Sequence, residues 1–176
     1  SSAPLKNLIR SIMAKPAIND INVFASVVNI LDGECYYIKN DSDAFADYVL
    51  ASASVPFHME PVGFFVDGGV RDHTPLAQAI ADGFERIIVI CCNPWGRRQR
   101  DVGYKPKWPY LVDIGLRCTD ILQAEVLYND LNACLHMPNI EVIRYAPDIR
   151  LVETFDYDPA KIRAGIAQGF LAAPIL

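Results

Sequence analysis

Residues 51–76 read ASASVPFHMEPVGFFVDGGVRDHTPL. This stretch holds a small-residue helix end, a break at Pro56, a short apolar strand over residues 63–66, and Asp67-Gly68-Gly69. Thr74-Pro75 then reads as a helix start, a capping hydroxyl followed by proline at the first helical position. Asp67 therefore falls where a strand ends and the chain turns. In a parallel sheet, ligands bind outside the carboxyl ends of the strands. Gly68 and Gly69 permit positive φ and let the backbone pass close to another group. A carboxylate on such a turn is aimed at a neighbouring loop rather than at water. Taken alone, Asp-Gly-Gly is also simply a turn.

Upstream, Leu5, Leu8, Ile9, Ile12 and Met13 recur at helical spacing until Pro16 stops the run. Residues 21–30, INVFASVVNI, are β-branched and apolar on both faces, which suits a strand covered on both sides. Asp32-Gly33 is a two-residue turn signal, and residues 34–39 return as a hairpin partner. Asp41 or Ser42 caps a helix through Phe45, Tyr48 and Val49, and Pro56 ends it by restricting Val55. Downstream, Leu76, Ala79 and Ile80 give the next helix its buried face, closed by Gly83. Residues 86–92, RIIVICC, read as a central parallel strand. A long helix follows with Leu111, Ile114, Cys118, Ile121 and Leu122 on one face, and residues 140–145 form another strand. Asp158-Pro159 opens a last helix with Ile162, Ile166 and Phe170 aligned. The alternation predicts an α/β three-layer sandwich with a mainly parallel sheet.

Composition narrows the function classes. The 176 residues suit one domain or a large piece of one, and 52% are apolar. A net charge of −5 argues against a general affinity for nucleic acid, whose phosphates call for clustered Lys and Arg. No apolar run reaches the roughly 20 residues of a membrane span. No basic patch followed by an apolar run opens the chain, so no signal peptide is expected. Cys35, Cys91, Cys92, Cys118 and Cys134 show no CxxC pair and no zinc-ligand spacing. They read as small buried hydrophobes in a reducing, cytoplasmic setting. The sharper reading of one as a nucleophile needs a depressed thiol pKa.

The whole 51–76 segment resembles the aspartate block of the patatin-like phospholipases. That block runs from an Ala-Ser-rich helix end through a proline to Asp-Gly-Gly or Asp-Gly-Ala. A polar or acidic residue then leads into a Pro-started helix and an apolar strand. The corresponding parts here are residues 51–56, 67–69, Asp72, Pro75 and residues 86–92. Residues 21–33 resemble the family's preceding strand and hairpin. Residues 155–170, with Asp156 and Gly169, resemble its closing helix. Residues 93–139 fall outside the resemblance.

The resemblance implies an acyl hydrolase of the phospholipase or esterase type, acting on a lipid or acyl-ester substrate through a Ser-Asp dyad and without a cofactor. Asp67 would be the base, with Gly68 and Gly69 setting its position. A serine hydroxyl is a poor nucleophile until a base takes its proton. Backbone N–H groups then stabilise the tetrahedral oxyanion. The family's serine lies in a G-x-S-x-G elbow upstream of the aspartate, and this sequence has neither that elbow nor a glycine-rich oxyanion loop. Ser26, Ser52 and Ser54 lack the flanking glycines an elbow requires. Residues 1–176 are accordingly expected to be the C-terminal part of a single patatin-like domain, inactive by themselves.

Three rival readings use the same residues. A non-catalytic binding or interaction module is what remains if the serine half is lost. A Ser-His-Asp hydrolase would use Asp67 and His73, with Ser54 preceding both, although His73 also reads as a surface loop residue. A metal site could draw on His58, Asp67, Asp72 and His73, but no known ligand spacing supports it. His58 and His136 read as loop or helix-end residues.

Residues 93–109, NPWGRRQRDVGYKPKWP, form the second notable feature. Arg97, Arg98, Arg100, Lys105 and Lys107 are interleaved there with Trp95, Tyr104 and Trp108. The plain reading is a solvated loop with aromatics packed on the body. The functional reading is a contact for an anionic membrane surface, which would make the protein peripheral at membranes. If the strands over residues 63–66 and 86–92 lie parallel in one sheet, a right-handed crossover brings this loop to the edge carrying Asp67.

Overall fold

The structure, a computed structural model, describes residues 3–13, 21–92, 105, 107–147 and 158–171. The chain divides into two compact units, Ser1–Pro75 and Leu76–Leu176.

The first unit is built around a hairpin. Strands β1 (Phe24–Asn29) and β2 (Cys35–Lys39) pair antiparallel, from Phe24 opposite Lys39 to Val28 opposite Cys35. The Asp32-Gly33 turn chemistry is used as the sequence suggests. Gly33 takes φ 74° and donates its N–H to the Asn29 carbonyl at 2.8 Å. Asp32 Oδ1 accepts the Glu34 N–H at 2.8 Å. The connecting loop is longer than two residues, because the strands themselves are shorter than expected.

Helix α1 (Ala3–Met13) buries Ile9 and is tied to helix α2 (Phe45–Ser52) by Lys6 and Arg10, which pair with Asp47 at 3.0 and 3.3 Å. The expected cap from Asp41 or Ser42 does not form. Ala44 occupies the N-cap, with no side-chain capping bond. Helix α2 buries Phe45, Leu50 and Ala51. Strand β3 (Phe65–Asp67) then returns antiparallel to β1, giving the order β2-β1-β3. As the central strand, β1 buries both Val27 and Val28, at 0% and 4% exposure, so successive side chains are covered on opposite faces. The Phe65 ring meets Tyr48 of α2 edge-on at 5.3 Å.

The second unit contains α3 (Leu76–Ala81), β4 (Arg86–Ile90), α4 (Tyr110–Cys134), β5 (Glu141–Tyr145) and α5 (Pro159–Leu171). β4 and β5 pair in parallel, Arg86 opposite Glu141 through Ile90 opposite Tyr145. Their connection includes α4, as a parallel pair requires. One face is packed: Ile87, Val89 and Val142 cluster with Leu76, Leu131 and Cys134. The alternate residues Ile88 and Ile90 are 59% and 77% exposed, so RIIVI is covered on one face rather than two. Asp158 and Pro159 open α5 as predicted, with Asp158 Oδ1 accepting the Ala160 N–H at 2.8 Å.

Two expectations are corrected. The fold is mixed α/β, but among the described residues the strands do not make one mainly parallel sheet. There the three-stranded sheet is antiparallel, and β4 and β5 run parallel in a two-stranded sheet. The hairpin turn fixes β2 antiparallel to β1, and β3 claims the other edge of β1. The second correction concerns α4. Leu111, Ile114, Cys118, Ile121 and Leu122 are exposed, and the buried side chains are Leu131 and Cys134 near the helix C-terminus. The helix carries apolar residues on more than one side, and the packed stripe is not the one read from spacing.

Candidate functional site

Asp67 ends β3 and caps the 3-10 turn Gly68–Val70. Its Oδ1 accepts the Gly69 N–H at 2.8 Å, the local bond that aspartate makes two residues into a turn. Its own N–H donates to the Ser54 carbonyl at 3.2 Å. The side chain is half-buried. Burial pushes its proton affinity above the ordinary aspartate value, while the Gly69 N–H and the charge of His73 pull the other way. A carboxylate short of solvation binds a proton more readily, as a general base must.

The glycines have a different reason from the one expected. Gly68 is not in the left-handed region, and it and Gly69 lie together in the right-handed 3-10 turn. Gly68 is needed for space. A Cβ there would come within 2.6 Å of both the Cβ and the backbone carbonyl carbon of Ser26 on β1. Asp67 also sits at the end of an antiparallel strand, so the rule for carboxyl ends of parallel strands does not apply to it. What places Asp67 is the turn itself.

The turn is closed downstream by two bonds to the Gly68 carbonyl, from the N–H of Arg71 at 3.0 Å and of Asp72 at 2.9 Å. Asp72 Oδ1 accepts the Thr74 N–H at 3.2 Å, and Asp72 Oδ2 accepts the hydroxyl of Tyr37 on β2. Arg71 donates to the Gly33 carbonyl at 2.5 Å and pairs with Glu34 at 3.2 Å. The sequence does not mark out Tyr37, and it names Ser26 only as a serine without flanking glycines. The signal at Ser26 is a small polar residue inside the apolar run INVFASVVNI.

The other named residues separate from this cluster. His73 is exposed and acts on Asp67 through its charge. Ser54 is 1% exposed, and its hydroxyl donates to the Leu50 carbonyl at 2.9 Å, an arrangement unlike an exposed elbow serine. His58 and His136 are exposed, each with Nδ1 against a nearby backbone carbonyl, Pro56 and Asn132 respectively. Among the described residues, no group of three or more His, Cys, Asp or Glu could hold a metal ion.

The cysteines are only partly the buried hydrophobes expected. Cys134 is buried, Cys35 and Cys91 are half-buried, and Cys92 and Cys118 are exposed. Burial pushes the thiols of Cys35, Cys91 and Cys134 up, away from the thiolate a nucleophile needs. Trp95, Arg97, Arg98, Arg100 and Asp156 lie outside the described residues. Among the described residues, no helix is long and apolar enough to cross a membrane.

Residues 1–80 match the family model described as patatin-like phospholipase. The match takes in β1, the hairpin, α2, β3 and the Asp67 turn. It lies in the N-terminal part of the chain and does not run on to the closing helix, as the resemblance of residues 155–170 implied. No curated protein matches the chain.

Proposed function

We propose that this chain supplies the aspartate of a Ser-Asp dyad that hydrolyses a lipid or acyl ester. The family match supports the hydrolase class and a lipid substrate. The single observation that carries the finer reading is the half-buried Asp67 carboxylate on its turn, with Oδ1 held by the Gly69 N–H at 2.8 Å. Oδ2 is the oxygen left to receive a proton. In the proposed reaction it takes the proton of a serine hydroxyl as Oγ bonds to the ester carbonyl carbon. The carbonyl electron pair moves onto oxygen. Collapse of that oxyanion expels the alcohol, which leaves with the proton from Asp67. Water then repeats the sequence, giving its proton to Asp67 and releasing the acid and the free serine.

The serine belongs to an elbow that these 176 residues do not contain. The burial of Ser54, whose hydroxyl donates to the Leu50 carbonyl, is the observation favouring the second reading, a binding module without chemistry. A fluorophosphonate probe on the full-length protein separates the two. Labelling of a serine outside this sequence, blocked by prior reaction with an ester substrate analogue, supports the dyad. No labelling, together with retained lipid binding, supports the module. In the dyad reading the protein is cytoplasmic and peripheral at membranes, with Arg97, Arg98 and Arg100 as contacts for anionic lipid.

A further inference from the structure

β2 is not a neighbour of β3, since β1 lies between them. Yet β2 is joined to the segment that follows Asp67. Ser26 of β1 stands opposite Tyr37 of β2, and the bare Cα of Gly68 packs on the same Ser26. The absence of a side chain at Gly68 therefore lets the chain lie across β1 at the row that leads to Tyr37. Four residues beyond Gly68, Asp72 reaches the Tyr37 hydroxyl.

Both oxygens of Asp72 are engaged, Oδ2 by Tyr37 and Oδ1 by the Thr74 N–H at 3.2 Å. This distinguishes Asp72 from Asp67, which keeps an oxygen for a proton. Tyr37 and Asp72 are both half-buried, where a bond to a charged acceptor is screened less than at the surface. Burial and the Asp72 carboxylate both keep the Tyr37 hydroxyl protonated, so it remains a donor across the working pH range. The parallel link from Arg71 to Glu34 is between side chains more than half exposed, at 51% and 58%, and is correspondingly weak.

We propose that Tyr37 and Asp72 are a positioning pair, clamping the far end of the Asp67 turn to β2 so that the Gly69 N–H stays aimed at the Asp67 carboxylate. The inference rests on the dyad reading above for its effect on turnover, but not for its effect on the turn. Asp72 closes the turn through its own N–H to the Gly68 carbonyl at 2.9 Å. Loss of the Tyr37 bond removes the tie of that closure to β2 and leaves the Asp72 side chain held locally, by the Thr74 N–H. The Asp67 carboxylate then samples orientations in which it cannot meet a hydroxyl.

The test uses the full-length protein with Tyr37→Phe, Asp72→Asn and the double variant. Ester turnover is normalised to folded protein, and amide exchange is followed across residues 68–74 and across β1. Tyr37→Phe removes one oxygen and should fold. Each single variant should lower kcat by about tenfold to a hundredfold, with KM within about twofold, because misplacement of a reacting group costs rate rather than binding. The double variant should be no worse than the poorer single, as members of one pair are not additive. Exchange over 68–74 should quicken by about tenfold or more while β1 is unchanged. Unchanged exchange over 68–74 in Tyr37→Phe overturns the clamp. Faster exchange with kcat unchanged overturns the positioning role. Asp67→Asn is the control: if it retains kcat, the dyad reading is what has failed, and the exchange result alone decides whether the pair holds the turn.

Discussion

The N–H of Asp67 donates to the carbonyl oxygen of Ser54 at 3.2 Å. This bond ties the last residue of β3 to the chain just past the end of α2. On the other side, Val27 of β1 stands opposite Asp67 in the ladder. The backbone of the proposed base is thus bonded to Ser54 and seated in the β1 ladder, and its carboxylate is set by the turn.

From that geometry, Asp67→Asn in the full-length protein should keep the fold and lose the base. The expected fall in kcat is about two to four orders of magnitude, the range for general-base catalysis. His73→Ala should stay within about tenfold, since His73 is exposed and acts on Asp67 through charge. Equal damage from the two substitutions, with both proteins folded, would favour a triad.

The same substitution should raise stability at neutral pH. Burial raises the folded-state pKa of Asp67, so the folded protein binds this proton more tightly than the unfolded chain. Stability from this group is therefore present in acid and lost as pH rises from its unfolded to its raised folded value. Asn needs no proton and still offers an oxygen to the Gly69 N–H. Denaturant titrations of parent and Asp67→Asn should show the variant ahead at pH 7, with the gap closing below pH of about 3.9. A gap that widens in acid would refute the sign.

Gly68→Ala tests the packing of the turn on β1. The added methyl would sit 2.6 Å from the Ser26 Cβ and from its carbonyl carbon. Overpacking of this kind costs about 1–3 kcal/mol, read as a lower denaturation midpoint. Ser26→Ala should not restore it, because the clash includes the Ser26 backbone. Full rescue by Ser26→Ala would mean that only the hydroxyl stands in the way.

The open face of β4 predicts behaviour of the 176-residue chain. Ile88 and Ile90 are exposed side by side in period two, on a two-stranded sheet with unpaired edges among the described residues. Changing both to threonine keeps β-branching and removes the apolar surface. Soluble yield should rise and binding of a hydrophobic dye should fall. The core residues Ile87 and Val89 point the other way, so the thermal midpoint should hold.

Anionic lipid supplies the last test. Arg97, Arg98 and Arg100 changed together to serine should weaken full-length protein binding to phosphatidylserine vesicles by roughly two orders of magnitude at low salt, at ~1 kcal/mol per residue. Neutral vesicles should show no difference. Equal sedimentation of parent and variant with the anionic vesicles would leave the loop as solvated surface.

Local chemistry was legible in the sequence wherever it was enough to decide the structure. Asp32-Gly33 makes a hairpin because the glycine takes φ 74° and the aspartate accepts the Glu34 N–H. Asp158-Pro159 starts α5 for equally local reasons. Asp67-Gly68-Gly69 stood out for the same cause. What sequence spacing does not carry is partner choice. Nothing within β3 says that it will pair with β1 rather than lie beside RIIVI. Nothing within α4 says that Leu131 will be covered while Leu122 stays exposed. The bond between Tyr37 and Asp72 spans strand, helix and turn, and no short motif contains both ends.

The place of β1 between β2 and β3 also sets an order of assembly. Val28 meets Cys35 across one short loop, so the hairpin closes at small entropic cost. Asn29 meets Phe65 only after all of α2 has been spanned, a much longer closure onto an edge that the hairpin already offers. β3 and the aspartate turn should therefore dock late in folding. Substitutions at Phe65 or Val66 should speed unfolding and leave the folding rate nearly untouched, whereas substitutions at Val28 should slow folding.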